Sequence, residues 1–103
     1  MLEYSLNLPF DFIDYEWEVA EKGYFSDAYL EVGNARYRIN FYDIHRFTQE
    51  VEDELNKASM FFEENLVFVH KVNRENMELA VKSLVQFGRI DFLKVWRETG
   101  VGK

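Results

Sequence analysis

The sequence predicts an α+β domain spanning residues 1–103: an antiparallel or mixed four- to five-stranded sheet with two to three helices packed on one face, in the order ββββαβα. Three observations carry this. The first half holds several runs in which apolar and polar residues alternate with a period of two, the signature of half-buried strands. The second half holds two stripes of apolar residues at helical spacing. The chain has 103 residues and is 48% hydrophobic, enough for one core but short for two domains.

The elements follow in order. Leu2, Tyr4, Leu6 and Leu8 alternate with Glu3, Ser5 and Asn7 and form a strand that stops at Pro9, because proline cannot donate to a ladder. Tyr15, Trp17 and Val19 alternate with Asp14, Glu16 and Glu18, which predicts a second strand ending near Lys22-Gly23. Ala28, Leu30 and Val32 lead into Gly33-Asn34, and Tyr37, Ile39 and Phe41 leave it, so the two runs form a hairpin. Asp43 is an N-cap; its side chain can accept from an orphan amide of the first helical turn. Ile44, Phe47, Val51 and Leu55 then mark the inward stripe of a helix, whose outer face carries Glu50, Glu52, Asp53 and Glu54. Residues 60–65 form a connection. Leu66-Val67-Phe68-Val69 is a short apolar run that predicts a central strand. Asn73 caps a second helix, with Met77, Ala80, Val81, Leu84 and Val85 facing inward. Gly88 is placed to end it in the left-handed conformation. For Ile90–Arg97, Ile90, Leu93 and Trp96 fit a helix, while Ile90, Phe92 and Trp96 partly fit a strand; a short helix is favoured. One face of the sheet is expected to stand partly open, with aromatics available for contact.

Composition narrows the function. There is no cysteine, hence no disulfide framework, no thiolate nucleophile and no thiolate-bound zinc. That usage fits a reducing, cytoplasmic setting. No apolar run is long enough to span a membrane, and residues 1–20 show no basic-then-apolar leader pattern, so neither a membrane nor a signal peptide is expected. The net charge is −7, which argues against direct nucleic-acid binding, where Lys and Arg neutralise phosphates. The charge is also unevenly spread. Residues 1–55 hold thirteen acids and four bases, a balance of −9, and residues 56–103 balance at +2. Such asymmetry points to a polarised surface and a charged partner.

Catalytic patterns are absent. His45 and His70 have no spacing that pairs them with each other or with a carboxylate. Ser5, Ser26, Ser59 and Ser83 sit in no nucleophile elbow. The five glycines are scattered and form no phosphate loop. Asp14-x-Glu16-x-Glu18 would set three carboxylates on one strand face, about 7 Å apart at each step. A cation site needs ligands that converge, and a straight row does not converge. Neither a catalytic residue, a cofactor nor a metal is expected.

The combination of acids and aromatics is more informative. Tyr15, Trp17, Tyr24, Phe25 and Tyr29 lie among the N-terminal acids. Tyr and Trp are enriched at binding hot spots, and complementary charge accelerates encounter. The residues expected to contact a partner are Asp14, Glu16, Trp17 and Glu18 on the early element, and Glu50, Glu52, Asp53 and Glu54 on the helix.

Ile39-Asn40-Phe41-Tyr42-Asp43 with its acidic helix, followed by Phe61-Phe62-Glu63-Glu64-Asn65-Leu66-Val67-Phe68-Val69, resembles small immunity proteins of bacterial polymorphic-toxin and contact-dependent growth-inhibition systems. The resemblance runs from about Ala35 to Gly88. It implies a small cytoplasmic inhibitor, monomer or homodimer, that binds a cognate toxin domain, commonly a nuclease, and blocks its active site. It carries no residue-level motif. A basic nuclease cleft matches the acidic half in charge, with carboxylates standing where phosphates would sit. The alternative is a non-catalytic adaptor or self-associating domain that pairs through aromatics on the open sheet face.

Overall fold

The computed structural model describes residues 3–95. Strand β1 (Tyr4–Asn7) leads through Pro9 into a 3-10 turn (Phe12–Asp14) and helix α1 (Glu16–Lys22). Strands β2 (Tyr24–Val32) and β3 (Ala35–Tyr42) form the hairpin. Helix α2 (Ile44–Lys57), strand β4 (Leu66–Phe68), helix α3 (Arg74–Gln86) and a second 3-10 turn (Arg89–Phe92) complete the order. The sheet runs β1-β2-β3-β4; the first two pairings are antiparallel and β3–β4 is parallel. The α+β class and the four-stranded mixed sheet are as the sequence predicts.

The hairpin turn is Gly33-Asn34, with positive φ at Gly33 (59°) but not at Asn34. That pattern belongs to the type II′ hairpin turn, in which glycine takes the first central position. One extra residue between Phe25 and Ala28 breaks the β2–β3 register. The bulge lets Phe25 and Ala28 both point into the core. Arg38 Nε donates to the Ser26 carbonyl at 2.7 Å, so a backbone oxygen at the bulge finds a side-chain donor.

The core lies on one face of the sheet. Leu6, Phe25, Ala28, Leu30, Val32, Tyr37, Ile39 and Phe41 meet Met77, Val81 and Val85 of α3, with Phe12, Val19, Val72 and Ile90 closing the edges. The α3 stripe is therefore as expected, Ala80 and Leu84 packing at its margin. Asp43 and Asn73 cap their helices, accepting from the amides of Arg46 (2.8 Å) and Asn76 (2.9 Å). Gly88 is left-handed, with φ 67°.

Three expectations are corrected. First, the strand expected at Tyr15–Val19 is the 3-10 turn and α1. Its core contacts come from Phe12, Tyr15 and Val19, spaced three and four apart, which is a helical stripe. Gly23 (φ 74°) then ends the helix in the left-handed region. β1 pairs only with the second half of β2, and α1 lies beside the first half, which β3 alone pairs. Second, β4 is an edge strand, not a central one. A β3–α2–β4 crossover places it outside β3, and its residues are half-buried or exposed. Third, the α2 stripe is largely uncovered. No residue of α2 is fully buried, and Ile44 and Leu55 are 66% and 50% exposed.

Phe47 explains the position of α2. Its ring meets Tyr42 (5.7 Å), Phe68 (4.7 Å) and Phe61 (5.5 Å) edge-on. Tyr42 and Phe68 pair in register and alternate with Phe41 and Val67, so they point to the face opposite the main core. α2 thus covers one end of the face expected to be open. The 90–97 segment begins as a 3-10 turn, with Ile90 buried, and Leu93 is extended. Trp96 and Arg97 lie outside the described residues. Among those described, no helix is long and apolar enough to cross a membrane.

Candidate functional site: an acidic, aromatic surface

Winding residues 12–22 as helix splits the acidic row. Glu16 turns toward α3, where its Oε2 accepts from the Arg74 amide at 2.7 Å. A carboxylate suits that position, because the first amides of a helix lack internal partners. Asp14 and Glu18 remain exposed. Trp17 is 64% exposed, and two neighbours join it: Phe10, fully exposed, and Ile13, 74% exposed. Phe10 lies in the turn before the 3-10 segment, Ile13 within it and Trp17 in α1. Each is followed directly by an acid: Phe10-Asp11, Ile13-Asp14, Trp17-Glu18, with Glu21 one turn further on. None of these four acids has an ion-pair partner among the described residues. Of these four, Asp11 acts on Tyr15, whose phenol pKa is raised by desolvation first and then by the charges of Asp11 and Asp27.

The C-terminal end of α1 meets the N-terminal end of α2. Gly23 accepts from the Asp43 amide at 2.9 Å. Arg46 binds Glu50 through two nitrogens, at 3.0 and 2.7 Å, reaches the Lys22 carbonyl at 3.5 Å, and lies 5.9 Å from the Tyr24 ring centre. Arg46 therefore ties the two acidic elements together and neutralises Glu50.

Beyond this junction lies a groove of about 470 Å³ between α2 and the 58–65 connection. Tyr24, Tyr42, Glu50, Glu54, Met60, Phe62 and Glu63 line it. A smaller groove beside Glu18 and Lys22 also includes Tyr24, so the α1 and α2 surfaces meet at that ring. Glu50 and Glu54 face the groove half-buried, whereas Glu52 and Asp53 are exposed. The four acids expected together on the outer face of α2 are thus divided in two.

Tyr42 lies beneath the groove, 3% exposed. Its phenol pKa is pushed far above the ordinary 10.0, by burial first and then by Glu63, which accepts its hydrogen bond and whose charge opposes ionisation. The folded state therefore holds this proton at a pH where the unfolded chain has lost it. The resulting stability is complete below pH 10 and is lost as pH rises beyond it. Urea midpoints should fall above pH 10, and Tyr42→Phe should flatten that fall. A Tyr42→Phe curve as steep as that of the unaltered protein would contradict this.

A third groove is built by Asn65, the one described non-glycine residue with positive φ (52°). Its Nδ2 donates to the Arg38 and Lys94 carbonyls, and its Oδ1 accepts from the Lys94 amide. Asn65 thereby holds the segment after the second 3-10 turn against β3. His45 and His70 are exposed and line none of these grooves. Among the described residues, no group of His, Asp or Glu is placed to hold a metal ion.

Sequence reasoning found Trp17, the acids and, among the aromatics beside them, Tyr24, but missed Phe10, Ile13, Tyr42, Met60, Phe62 and Glu63. The repeated apolar-acid pair at spacing three and four was a usable signal for Phe10 and Ile13. The groove residues come from four separate segments and had no local signal. No protein-family model, curated protein or solved structure matches the chain.

Proposed function

We propose that this protein is an inhibitor of the immunity type, binding a basic toxin domain, a nuclease, and covering its active site. The observation that carries this reading is the exposure of Phe10, Ile13 and Trp17 on the segment before and within α1, accompanied by the unpaired carboxylates of Asp11, Asp14, Glu18 and Glu21. Large apolar side chains kept in water next to polar ones mark a binding surface. Apolar area supplies affinity, and an aromatic such as Trp17 is the usual anchor. The carboxylates supply speed and orientation toward a positive cleft. A nuclease cleft is positive because it holds phosphates, so the same charge pattern accepts this surface.

The reading expects a toxin domain to be encoded beside this chain's gene, and the test is binding to that domain. An inhibited complex should form, and its association rate should fall steeply from low to high salt. Trp17→Ala should weaken it at least tenfold, about 1.4 kcal/mol, with the thermal midpoint unchanged because the side chain is exposed. A toxin that stays active with excess protein would overturn the reading. A rate indifferent to salt would remove its electrostatic part.

A further inference from the structure

Strand β4 has the composition of an inner strand and the position of an outer one. Leu66-Val67-Phe68-Val69 is apolar on both faces, the pattern of a strand covered on both sides. The sheet order nevertheless pairs it with β3 alone. Natural edges are blunted by charge, proline or a bulge. The opposite edge follows that rule, since β1 carries Ser5 and Asn7 and is closed off by Pro9. β4 has no such guard. The Asn65 carbonyl accepts from the Asn40 amide, and the Val69 amide donates to the Tyr42 carbonyl, both at 2.9 Å. Backbone groups alternate sides along a strand, so Leu66 and Phe68 turn their amides and carbonyls away from β3. Phe68 is also 49% exposed.

The flanking charges select the occupant. Glu63 and Glu64 precede the strand, and His70 and Lys71 follow it. An identical strand laid antiparallel, with a two-fold axis at Val67, sets each acidic end against a basic end. Glu64 then lies opposite His70 of the second copy, and Glu63 opposite its Lys71. Glu64 Oε2 pairs with Lys94, which leaves Oε1 for His70. Lys71 has no ion-pair partner among the described residues. In this register Leu66 of each copy exchanges two backbone bonds with Phe68 of the other, and their side chains meet on the α2 face.

We propose that β4 pairs with β4 of a second copy of this chain, joining two four-stranded sheets into one continuous sheet. Each β4 then becomes an inner strand, as its composition requires. The contact is self-complementary under the two-fold axis. Both α2 helices lie on one face of the joined sheet and both α3 helices on the other. So short a seam makes a weak, reversible dimer. It uses none of Phe10, Ile13 and Trp17, so it goes beyond the inhibitor reading and does not depend on it.

Sedimentation equilibrium of the full chain, from micromolar to millimolar concentration, should show the mass rising from one chain to two. Over the same range, amide exchange at Leu66 and Phe68 should slow at least fivefold more than at Asn40, whose amide bonds within one chain. Lys71→Glu, on an exposed side chain, places like charges together at both ends and should weaken the dimer at least fivefold. Leu66→Lys, which guards the edge, should leave a single chain at every concentration. A single-chain mass at millimolar concentration overturns the proposal. So does a dimer whose Leu66 and Phe68 amides exchange as fast as in the single chain, or one that both variants leave intact. No readout involves a toxin, so the inhibitor reading stands or falls separately.

Discussion

Phe12→Ala is expected to remove about 3–5 kcal/mol of stability, the usual cost of emptying a buried phenylalanine site. Phe12 has no exposed surface. Its ring packs edge-on against Tyr15 at 5.6 Å and Phe25 at 5.1 Å, and the Arg74 guanidinium lies 5.7 Å from its centre. It sits in the 3-10 turn and joins α1 to both the sheet and α3. A domain of this size has roughly 5–15 kcal/mol in all, so the loss is a large share. The damage should be uneven. The amides of Val19 and Gly23, which bond within α1, should exchange faster relative to those of α3. Phe12→Leu, which keeps most of the volume, should cost distinctly less. Urea unfolding with hydrogen exchange checks both; a loss below about 1 kcal/mol, typical of a surface site, would show that Phe12 does not anchor α1.

Gly23→Ala is the second large effect, expected at about 2–4 kcal/mol from two separate causes. At φ 74° an L-residue is strained by about 1–2 kcal/mol. A Cβ there would also sit 2.5 Å from Asp43 Oδ2 and 2.7 Å from Oδ1. That carboxylate cannot retreat freely, because Oδ1 holds the Arg46 amide as the α2 cap. Displacing the cap costs roughly 0.5–2 kcal/mol more. Gly33 supplies the control: it too has positive φ (59°), but a Cβ there meets nothing within 4 Å. Gly33→Ala should therefore show only the backbone strain. Combining Gly23→Ala with Asp43→Ala should cost less than the two single changes added, since the clash disappears with the carboxylate. Additive costs in that cycle would rule out the contact as the cause.

Much of the fold was legible because its signals are local. The Gly33-Asn34 turn, the caps at Asp43 and Asn73, the left-handed Gly88 and the α3 stripe each depend on residues within one or two turns. The misreading at Tyr15–Val19 has an informative cause. α1 and the segment before it alternate buried apolar residues, Phe12, Tyr15 and Val19, with exposed ones, Phe10, Ile13 and Trp17. Interleaved, they make Tyr15, Trp17 and Val19 look like a strand's alternation. A helix with apolar residues on one side only would have shown its period. The exposed residues that hid the helix are also the surface proposed to bind, as expected where function overrides local pattern.

α2 misled differently. Its stripe of Ile44, Phe47, Val51 and Leu55 was read correctly as helical, but periodicity does not say what covers it. Only the meeting of Tyr42, Phe61 and Phe68 around Phe47 decides that, leaving Ile44 and Leu55 in solvent.

By itself, the sequence determined the α+β class, the hairpin, the N-caps of α2 and α3, the glycine stop after α3 and the acidic bias of the first half, because turn chemistry, capping and charge are properties of neighbouring residues. Only the tertiary structure decided that β4 closes the sheet edge, that α2 crosses to the second face, and that Tyr24, Glu54, Phe62 and Glu63 share one groove. Those outcomes depend on strand pairing and ring packing between segments far apart in the chain, which no local pattern encodes.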